Sequence, residues 1–152
     1  SPVLLDGDTL RAGLNGDLEF SAKDRSENIR RLAEVAAHLA RNGHIAIVAA
    51  VSPSTEDRAA ARRIAGDLFR EIYIATPADV CESRDPKGHY AKARAGNLTG
   101  FTGIGNDYQA PHASELTIDT SHRAIAEATG DITRMLSRTG VLLDTVADLA
   151  AS

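Results

Sequence analysis

The segment 85–112 combines positive charge, aromatic rings and five glycines. Its cations are Lys87, Lys92 and Arg94, and its aromatic residues are Tyr90, Phe101 and Tyr108. Connections in compact domains are commonly about 4–6 residues long, and longer ones are usually functional or disordered. Because disordered segments are poor in aromatic residues, we predict that this lid segment (residues 85–112) closes over an anionic ligand that carries a flat ring.

Polar, turn-forming residues follow three apolar runs of the chain, at Asp6-Gly7-Asp8, Ser52-Pro53 and Thr76-Pro77. Ligands of parallel sheets bind at the carboxyl ends of the strands, which makes these residues candidates for a site. Asp, Gly, Ser and Pro are also ordinary turn residues. Each of these positions, taken alone, fits either interpretation.

Arg25 and Asn28 lie on the helical stripe that continues with Leu32 and Ala36. A guanidinium and an amide at the start of an apolar stripe predict polar groups that point into a cleft. A solvated first helical turn would show the same spacing, so the two interpretations stay open.

Phe20 and Phe101 stand in polar or Gly-rich surroundings, not in apolar runs. They could stack on the ring of a ligand, or they could pin loops onto the core. Arg11, three residues after Asp8, could bind a phosphate or sulfate with two hydrogen bonds, or it could be an exposed residue at a helix start. Cys81 has apolar helical spacing and is interpreted as a core residue.

Strands and helices alternate along the chain, which predicts an α/β fold with a parallel sheet wrapped by helices. Ser21 and Asp24 can cap a long helix that Gly43 ends. The predicted strands are 3–5, 44–51, 69–75 and 116–119, and the predicted helices are 21–41, 54–67, a short one that ends near 84, and 121–138. Because the run 44–51 is almost wholly apolar, we expect that strand to be buried on both faces.

The composition limits the classes of protein. The 152 residues fit one domain with one core. A net charge of −4 argues against a general nucleic-acid surface, and no apolar run approaches the ~20 residues that span a membrane. We see no signal peptide, and the single cysteine indicates a reducing compartment, so a cytoplasmic location is expected. The histidines show no metal-ligand spacing.

Five motifs follow one another over roughly residues 3–120. They are LLDGDTLRAGLNGDLEFS at 4–21, DRSENIRRLAEVA at 24–36, VSP at 51–53, CESRDPKGHYAKARAG at 81–96 and FTGI at 101–104. In order and spacing this set resembles the adenylylsulfate kinase (APS kinase) family. The triplet DGD alone would be weak, but the combination with DPKG-x-Y-x-KARAG and FTGI is very specific.

The resemblance implies a three-layer P-loop kinase fold over residues 1–139, with the lid at 85–112 and a tail at 140–152. It implies transfer of the γ-phosphate of ATP, with Mg²⁺, to the ribose 3′-hydroxyl of adenosine 5′-phosphosulfate (APS). The product would be PAPS, the activated sulfate of sulfate assimilation. The implied partners are APS, ATP, ADP and PAPS, a second copy in a homodimer, and an ATP sulfurylase domain, without nucleic acid or membrane.

The same resemblance implies roles for single residues. Asp8 would orient the acceptor hydroxyl or take its proton, and Asp6 would contact a water bound to Mg²⁺ or lie behind the directly binding groups. Ser52 matches a serine described as a phosphoenzyme site in some members. Phe20 and Phe101 would enclose the adenine between their rings, and Arg11, Arg25 and Asn28 would hold the phosphosulfate and ribose. The pocket would be lined by Val51, Gly103 and Ile104. Lys87 and Lys92 would meet the nucleotide anions.

The main departure from the family pattern concerns the phosphate donor. Members carry a Walker A loop, GxxxxGK[ST], roughly 30 residues before the DGD triplet, and this sequence contains no such motif. The expected fold therefore lacks the family's first strand, which is central in the sheet, and the P-loop helix. The chain could be a fragment, its missing part could lie on another chain or domain, or it could be a degenerate relative; we favour a fragment.

Smaller departures affect the site and the lid. Glu19 replaces a glycine before Phe20, Ser54 replaces a bulky residue, and residues 105–107 replace an acidic-Ser-Pro run. Three functions stay open. They are an APS kinase, whole or truncated; a non-catalytic APS- or PAPS-binding remnant attached to a sulfurylase; and another small-molecule P-loop kinase. The chain as given is expected to bind APS without transferring phosphate.

Overall fold

A computed structural model describes residues 2–97, 102 and 108–141 of the chain. The predictions for Phe101, Gly103 and Ile104, and for the tail from residue 142 onward, fall outside the described residues. The chain divides into two compact units, residues 1–70 with 85–111, and residues 71–84 with 112–152. Each unit holds helices and a two-stranded parallel sheet, which confirms the α/β class with parallel strands.

The elements alternate as the sequence predicts. In chain order they are β1 (Pro2–Asp6), α1 (Gly7–Arg11), α2 (Ala22–Arg41), β2 (Ile45–Ala49), α3 (Thr55–Ala65), a 3₁₀ turn (Gly66–Leu68), β3 (Ile72–Ile74), α4 (Ala78–Arg84), α5 (His89–Arg94), β4 (Leu116–Ile118) and α6 (Ile125–Arg138). None of the helices in the described ranges is long and apolar enough to cross a membrane.

The first unit is built on the parallel pair β1–β2. Its register runs from Pro2 opposite Ile45 to Asp6 opposite Ala49, so the two carboxyl ends lie at the same edge. Gly7 follows at once, and a Cβ on it would lie 3.3 Å from the carbonyl oxygen of Ala49. This close approach favours glycine, because a Cβ here would fit only if its neighbours shifted slightly. It brings the start of α1 against the end of β2.

Helix α2 supplies most of the core of this unit. It begins at the N-cap Ser21, whose hydroxyl accepts a hydrogen bond from the amide of Asp24 at 3.1 Å, as predicted. Its buried stripe packs against β1, β2 and α3, and the core cluster consists of Leu5, Ile29, Leu32, Ala33 and Ala61. Gly43 ends the helix with a φ of 82°, which glycine adopts readily.

The prediction that the second strand is buried on both faces is wrong. Ile47 is 49% exposed and Val48 is 41% exposed. Burial on both faces requires a packed layer on each side of a sheet. The main contacts of β2 among the described residues are with its neighbour β1 and with α2, and its carboxyl-terminal half is exposed on both faces, since Ile47 and Val48 point to opposite sides of the strand.

The lid segment contains a helix, α5, that the sequence did not predict. Asp85 holds its start, because its two carboxylate oxygens accept hydrogen bonds from the amides of Tyr90 at 3.1 Å and Ala91 at 3.0 Å. Burial acts to raise the pKa of Asp85, but the amide donors outweigh it and hold that pKa below its ordinary value. Gly88, with a φ of 67°, makes the turn into the helix.

The second unit is built on the parallel pair β3–β4. Three positions pair, from Ile72 opposite Leu116 to Ile74 opposite Ile118, so β3 is shorter than the predicted run 69–75. Helix α6 starts at Ile125, four residues later than predicted. The reason is a turn at Asp119, whose carboxylate accepts hydrogen bonds from the amide and hydroxyl of Ser121.

Candidate functional site

Asp6 and Asp8 lie where β1 ends and α1 begins. The Asp6 carboxylate accepts hydrogen bonds from the amides of Asp8 at 2.9 Å and Thr9 at 3.0 Å, and so caps α1. These bonds, first of all the one from Thr9, lower the pKa of Asp6. The side chain of Asp8 is 67% exposed. Asp6 therefore stabilises the helix start, and Asp8 is open to a ligand.

Lys87 of the lid segment forms an ion pair with Asp8. Its Nζ lies 2.5 Å from Oδ2 of Asp8, and both side chains are largely exposed. The hydrogen bond to Asp8 raises the pKa of Lys87, so the lysine stays cationic across neutral pH. The structure thus brings together two of the predicted site residues that are 79 positions apart in the sequence.

Arg11 and Phe20 stack on each other. The guanidinium carbon of Arg11 lies 4.5 Å from the centroid of the Phe20 ring, and its Nη1 donates to the carbonyl oxygens of Leu18 at 3.1 Å and Glu19 at 3.0 Å. Phe20 is 60% exposed. Arg11 therefore shapes the α1–α2 loop (residues 12–20) in this structure, and it supports an exposed aromatic ring.

Arg25 connects α2 to the lid segment. Its Nε donates to the carbonyl oxygen of Phe20 at 3.0 Å, and its Nη1 donates to the hydroxyl of Thr102 at 3.1 Å. Asn28, one turn further along α2, is only 7% exposed. Its Oδ1 accepts a hydrogen bond from Nδ2 of Asn15 at 2.9 Å. A solvated first turn does not account for this burial of Asn28.

Ser52 lies in the turn after β2 with a φ of 43°, a left-handed conformation that non-glycine residues seldom adopt. Its hydroxyl is buried and has no hydrogen-bond partner among the described residues. Its carbonyl oxygen accepts from Nη1 of Arg58 at 2.7 Å, and Nη2 of Arg58 donates to the carbonyl oxygen of Gln109 at 2.5 Å. Arg58, 8% exposed, therefore ties this turn to the end of the lid segment.

The remaining predicted residues divide into two groups. Val51, two residues after β2, is 64% exposed, and Lys92 lies exposed on α5. Phe101, Gly103 and Ile104 lie outside the described residues. The ring pair of Phe20 with Phe101 therefore stays a prediction, for which the structure supplies the first ring.

Three residues that the sequence analysis did not select hold the site in place. Arg31 of α2 donates to the carbonyl oxygen of Leu14 at 3.0 Å and forms an ion pair with Asp17 at 2.6 Å, which fastens the α1–α2 loop. Asn15 and Arg58 are the others, and both are buried polar residues. The only sequence indication for Arg58 is its position four residues after the helix cap Ser54, in the first turns of α3, and this indication is weak. Asn15 gave none, because asparagine in a loop is common.

This arrangement can recognise an anion that carries a flat ring. Arg25 and Lys87 supply positive charge, Phe20 supplies an exposed ring face, and the carboxylate of Asp8 can accept a hydrogen bond from a hydroxyl group. All of these side chains belong to the first compact unit. The chemistry that they support is binding and orientation of a hydroxylated, ring-bearing anion.

Comparison with known proteins gives a consistent result. The sequence pattern of the adenylylsulphate kinase family matches residues 1–119. The adenylyl-sulfate kinase of Paraburkholderia xenovorans is 47% identical over 125 residues, which are 82% of this chain and 70% of that protein. The bifunctional enzyme CysN/CysC of Mycobacterium tuberculosis is 50% identical over 139 residues, which are 90% of this chain and 22% of that protein.

A solved structure shows the same fold. The Mycobacterium tuberculosis APS kinase CysC, in complex with AMPPNP and APS, superposes with a TM-score of 0.87 and 48% sequence identity. The match covers 90% of this chain and 80% of that one. The chain thus spans most of this structure but only about a fifth of the bifunctional enzyme.

Proposed function

Because the chain belongs to the adenylylsulphate kinase family, whose members are phosphotransferases, we propose that it binds adenosine 5′-phosphosulfate and serves its 3′-phosphorylation by ATP. The observation that carries this proposal is the grouping of Phe20, Arg25 and Asp8 with Lys87 in one compact unit. The substrate needs a ring contact, cations for its phosphosulfate and an acceptor for its hydroxyl. The site offers all three.

In this proposal the adenine stacks on Phe20, with Phe101 as the second ring. Arg11, Arg25 and Asn28 hold the phosphosulfate and ribose, and Arg11 also stacks on the Phe20 ring at 4.5 Å. Val51, with Gly103 and Ile104, lines the adenine pocket. Asp8 accepts the hydrogen bond of the 3′-hydroxyl and orients it for transfer. Ser52 matches the phosphoenzyme serine of some family members, but the proposed transfer requires no covalent intermediate on it.

ATP and Mg²⁺ belong to the proposal as co-substrate and cofactor. Magnesium in kinases is bound by one or two carboxylates together with the phosphates of the substrate. Asp6, at the end of β1, fits that pattern. It would contact a water of the ion, and the ion would neutralise charge on the transferred phosphate. Lys87 and Lys92 of the lid segment would meet the nucleotide anions.

The test of this proposal is APS binding by the folded 152-residue chain, measured by titration calorimetry. We expect Phe20→Ala and Arg25→Ala each to weaken APS binding by roughly tenfold or more. The matched controls are Arg63→Ala on α3 and Phe69→Ala just after the 3₁₀ turn, both outside the predicted site. Binding of APS that is equally strong in all four variants would contradict the site.

A second candidate is a non-catalytic domain that binds APS or PAPS. The 152 residues contain no GxxxxGK[ST] motif to hold the phosphates of ATP, so APS binding by these residues is tested separately from phosphate transfer. The two candidates share the acceptor site and differ only in phosphate transfer. A different small-molecule kinase is the third candidate, and preference for another hydroxylated substrate over APS would support it.

The assembly and setting are proposals as well. We propose one domain over residues 1–139, a homodimer, and a cytoplasmic location, the last because a single cysteine suits a reducing compartment. Similarity to a bifunctional enzyme supports a fused second domain, with an ATP sulfurylase as the proposed activity. Light scattering on the purified chain tests the dimer, and a monomer at micromolar concentration would contradict it.

A further inference from the structure

Asn15 is fully buried, at 0% exposure, in the α1–α2 loop. Its Nδ2 donates to Oδ1 of Asn28 at 2.9 Å. Its own Oδ1 is buried and has no hydrogen-bond partner among the described residues. A buried acceptor without a partner is costly, and an apolar residue of similar size would avoid that cost. Stability alone therefore does not explain an amide at this position.

The hydrogen bond fixes which end of the Asn28 amide is used. A side-chain amide carries an acceptor oxygen at one end and two N–H donors at the other. Since Oδ1 of Asn28 is engaged by Asn15, its Nδ2 donors are the end left for another partner. Asn28 follows Arg25 by one helical turn, and residues so spaced share a face of the helix. Donors next to a guanidinium suit the oxygens of an anion.

We propose that Asn15 is a positioning residue, which orients the Asn28 amide so that its N–H donors meet the anionic oxygens of the substrate. The proposal rests on the proposed function, because it takes Asn28 as a contact of the phosphosulfate and ribose. Asn15 acts only through Asn28 and does not itself touch the substrate. The chemical class that it selects is an anion with acceptor oxygens.

The α1–α2 loop holds Asn15 firmly enough for this role. The amide of Asn15 donates to the carbonyl oxygen of Leu10 at 2.8 Å, and its carbonyl oxygen accepts from the amide of Leu18 at 3.1 Å. Arg31 fastens the loop at the carbonyl oxygen of Leu14 and at Asp17. Arg11 fastens it at Leu18 and Glu19. With both flanks anchored, the position of the Asn15 amide is set by the backbone.

The experiment replaces Asn15 with aspartate and measures binding of APS and of adenosine by titration calorimetry at neutral pH. An ionised carboxylate only accepts hydrogen bonds. In Asn15→Asp the Asn28 amide must turn its donors inward and present its oxygen to the anion. We expect APS affinity to fall about 10–100-fold, while adenosine, which lacks the phosphosulfate, loses little. Asn42→Asp, at the far end of α2, is the matched control and should keep wild-type APS affinity.

A double-mutant cycle separates positioning from a general structural role. If Asn15 acts through Asn28, Asn15→Asp has no further effect on APS affinity once Asn28→Ala is present. Additive losses in the double variant, or equal losses for APS and adenosine, would overturn the inference. If Asn15→Asp does not fold, Asn28→Asp provides the test. It keeps the bond from Asn15 and presents an oxygen to the anion, so unchanged APS affinity would overturn the inference.

The outcome for the wild-type chain distinguishes the two levels of the proposal. Folded wild-type chain that binds no APS overturns the proposed function and this inference with it. Wild-type binding that depends on Arg25 but not on Asn15 overturns the inference alone.

Discussion

At the scale of single residues, the ion pair of Lys87 with Asp8 joins the lid segment to the carboxylate at the end of β1. Exposed ion pairs contribute little to folding stability, and both side chains are more than half exposed. The pair therefore matters chiefly for the ligand. A bound substrate with a hydroxyl and an anionic group could take Asp8 and Lys87 as separate partners.

We expect Lys87→Met to weaken APS binding roughly tenfold, the effect of losing one charge-assisted hydrogen bond. The thermal midpoint should change little. Titration calorimetry at two salt concentrations measures this, and the wild-type advantage should shrink as salt screens the charge. Lys23→Met removes an exposed lysine outside the predicted site and should leave APS binding unchanged. A large fall in the melting temperature of Lys87→Met would instead indicate a structural role.

A second prediction concerns pH. Hydrogen bonds from Arg30, and then from Arg31, lower the pKa of Glu27 from its ordinary value of 4.5 to about 2. A carboxylate with a lowered pKa in the folded state stabilises that state above the unfolded pKa, and the stabilisation is lost as pH falls through the folded pKa. Glu27→Gln should therefore melt lower than wild type at neutral pH, and the difference should vanish between about pH 4.5 and pH 2.

Thermal melts at a series of pH values test this. Glu34→Gln is the control, because Oε1 of Glu34 lies 3.7 Å from Nη1 of Arg30 and the side chain is 54% exposed, so this carboxylate is held more weakly than that of Glu27. A Glu27→Gln difference that persists undiminished below pH 2 would contradict the assignment.

Residue types alone predicted part of the site. Asp8 follows a strand and Arg25 starts an apolar stripe, and both features are readable from spacing. Asn15 could not be found in this way, because its role depends on a hydrogen bond to Asn28, which is 13 residues away in the sequence and is brought close by a loop. The same holds for Arg58, whose acceptor at Gln109 is 51 residues distant. Side-chain contacts across loops leave no periodic signal.

At the scale of secondary structure, α2 carries the core, and Leu32 at 1% exposure is its centre. We expect Leu32→Ala to cost about 2–5 kcal/mol, the usual effect of a large cavity in a packed core. Leu68→Ala, the same change at a position that is 52% exposed, should cost far less. Urea unfolding curves measure both. Equal costs for the two variants would mean that the core lies elsewhere.

The elements with local start signals were predicted well. Ser21 and Ser54 each cap a helix through the amide three residues later, and such caps can be read from a few neighbouring letters. Helix α5 was missed because glycines flank it and its capping carboxylate, Asp85, lies outside the helix. The exposure of β2 was missed because an apolar run specifies which residues prefer burial, and not which layers are there to cover them.

At the scale of the whole molecule, the chain contains residues proposed to bind the acceptor APS but no motif that would bind the phosphates of the donor ATP. The residues proposed for APS lie in the first compact unit or in the lid segment, and the sequence contains no GxxxxGK[ST] motif for the phosphates of ATP. We expect the 152-residue chain alone to bind APS and to form no PAPS from ATP and APS. A radiolabelled ATP assay, with a complete adenylyl-sulfate kinase as positive control, tests this. PAPS formation above background would contradict it.

The hydrogen bond between Arg58 and Gln109 can form only late in the synthesis of the chain. A ribosome adds about 5–20 residues per second, and the two residues are 51 positions apart. The nascent chain thus carries Arg58 for roughly 3–10 seconds before this partner is synthesised. The turn that holds Ser52 in its unusual backbone conformation receives that support late, after β1, β2, α2 and α3 have all left the ribosome's active centre.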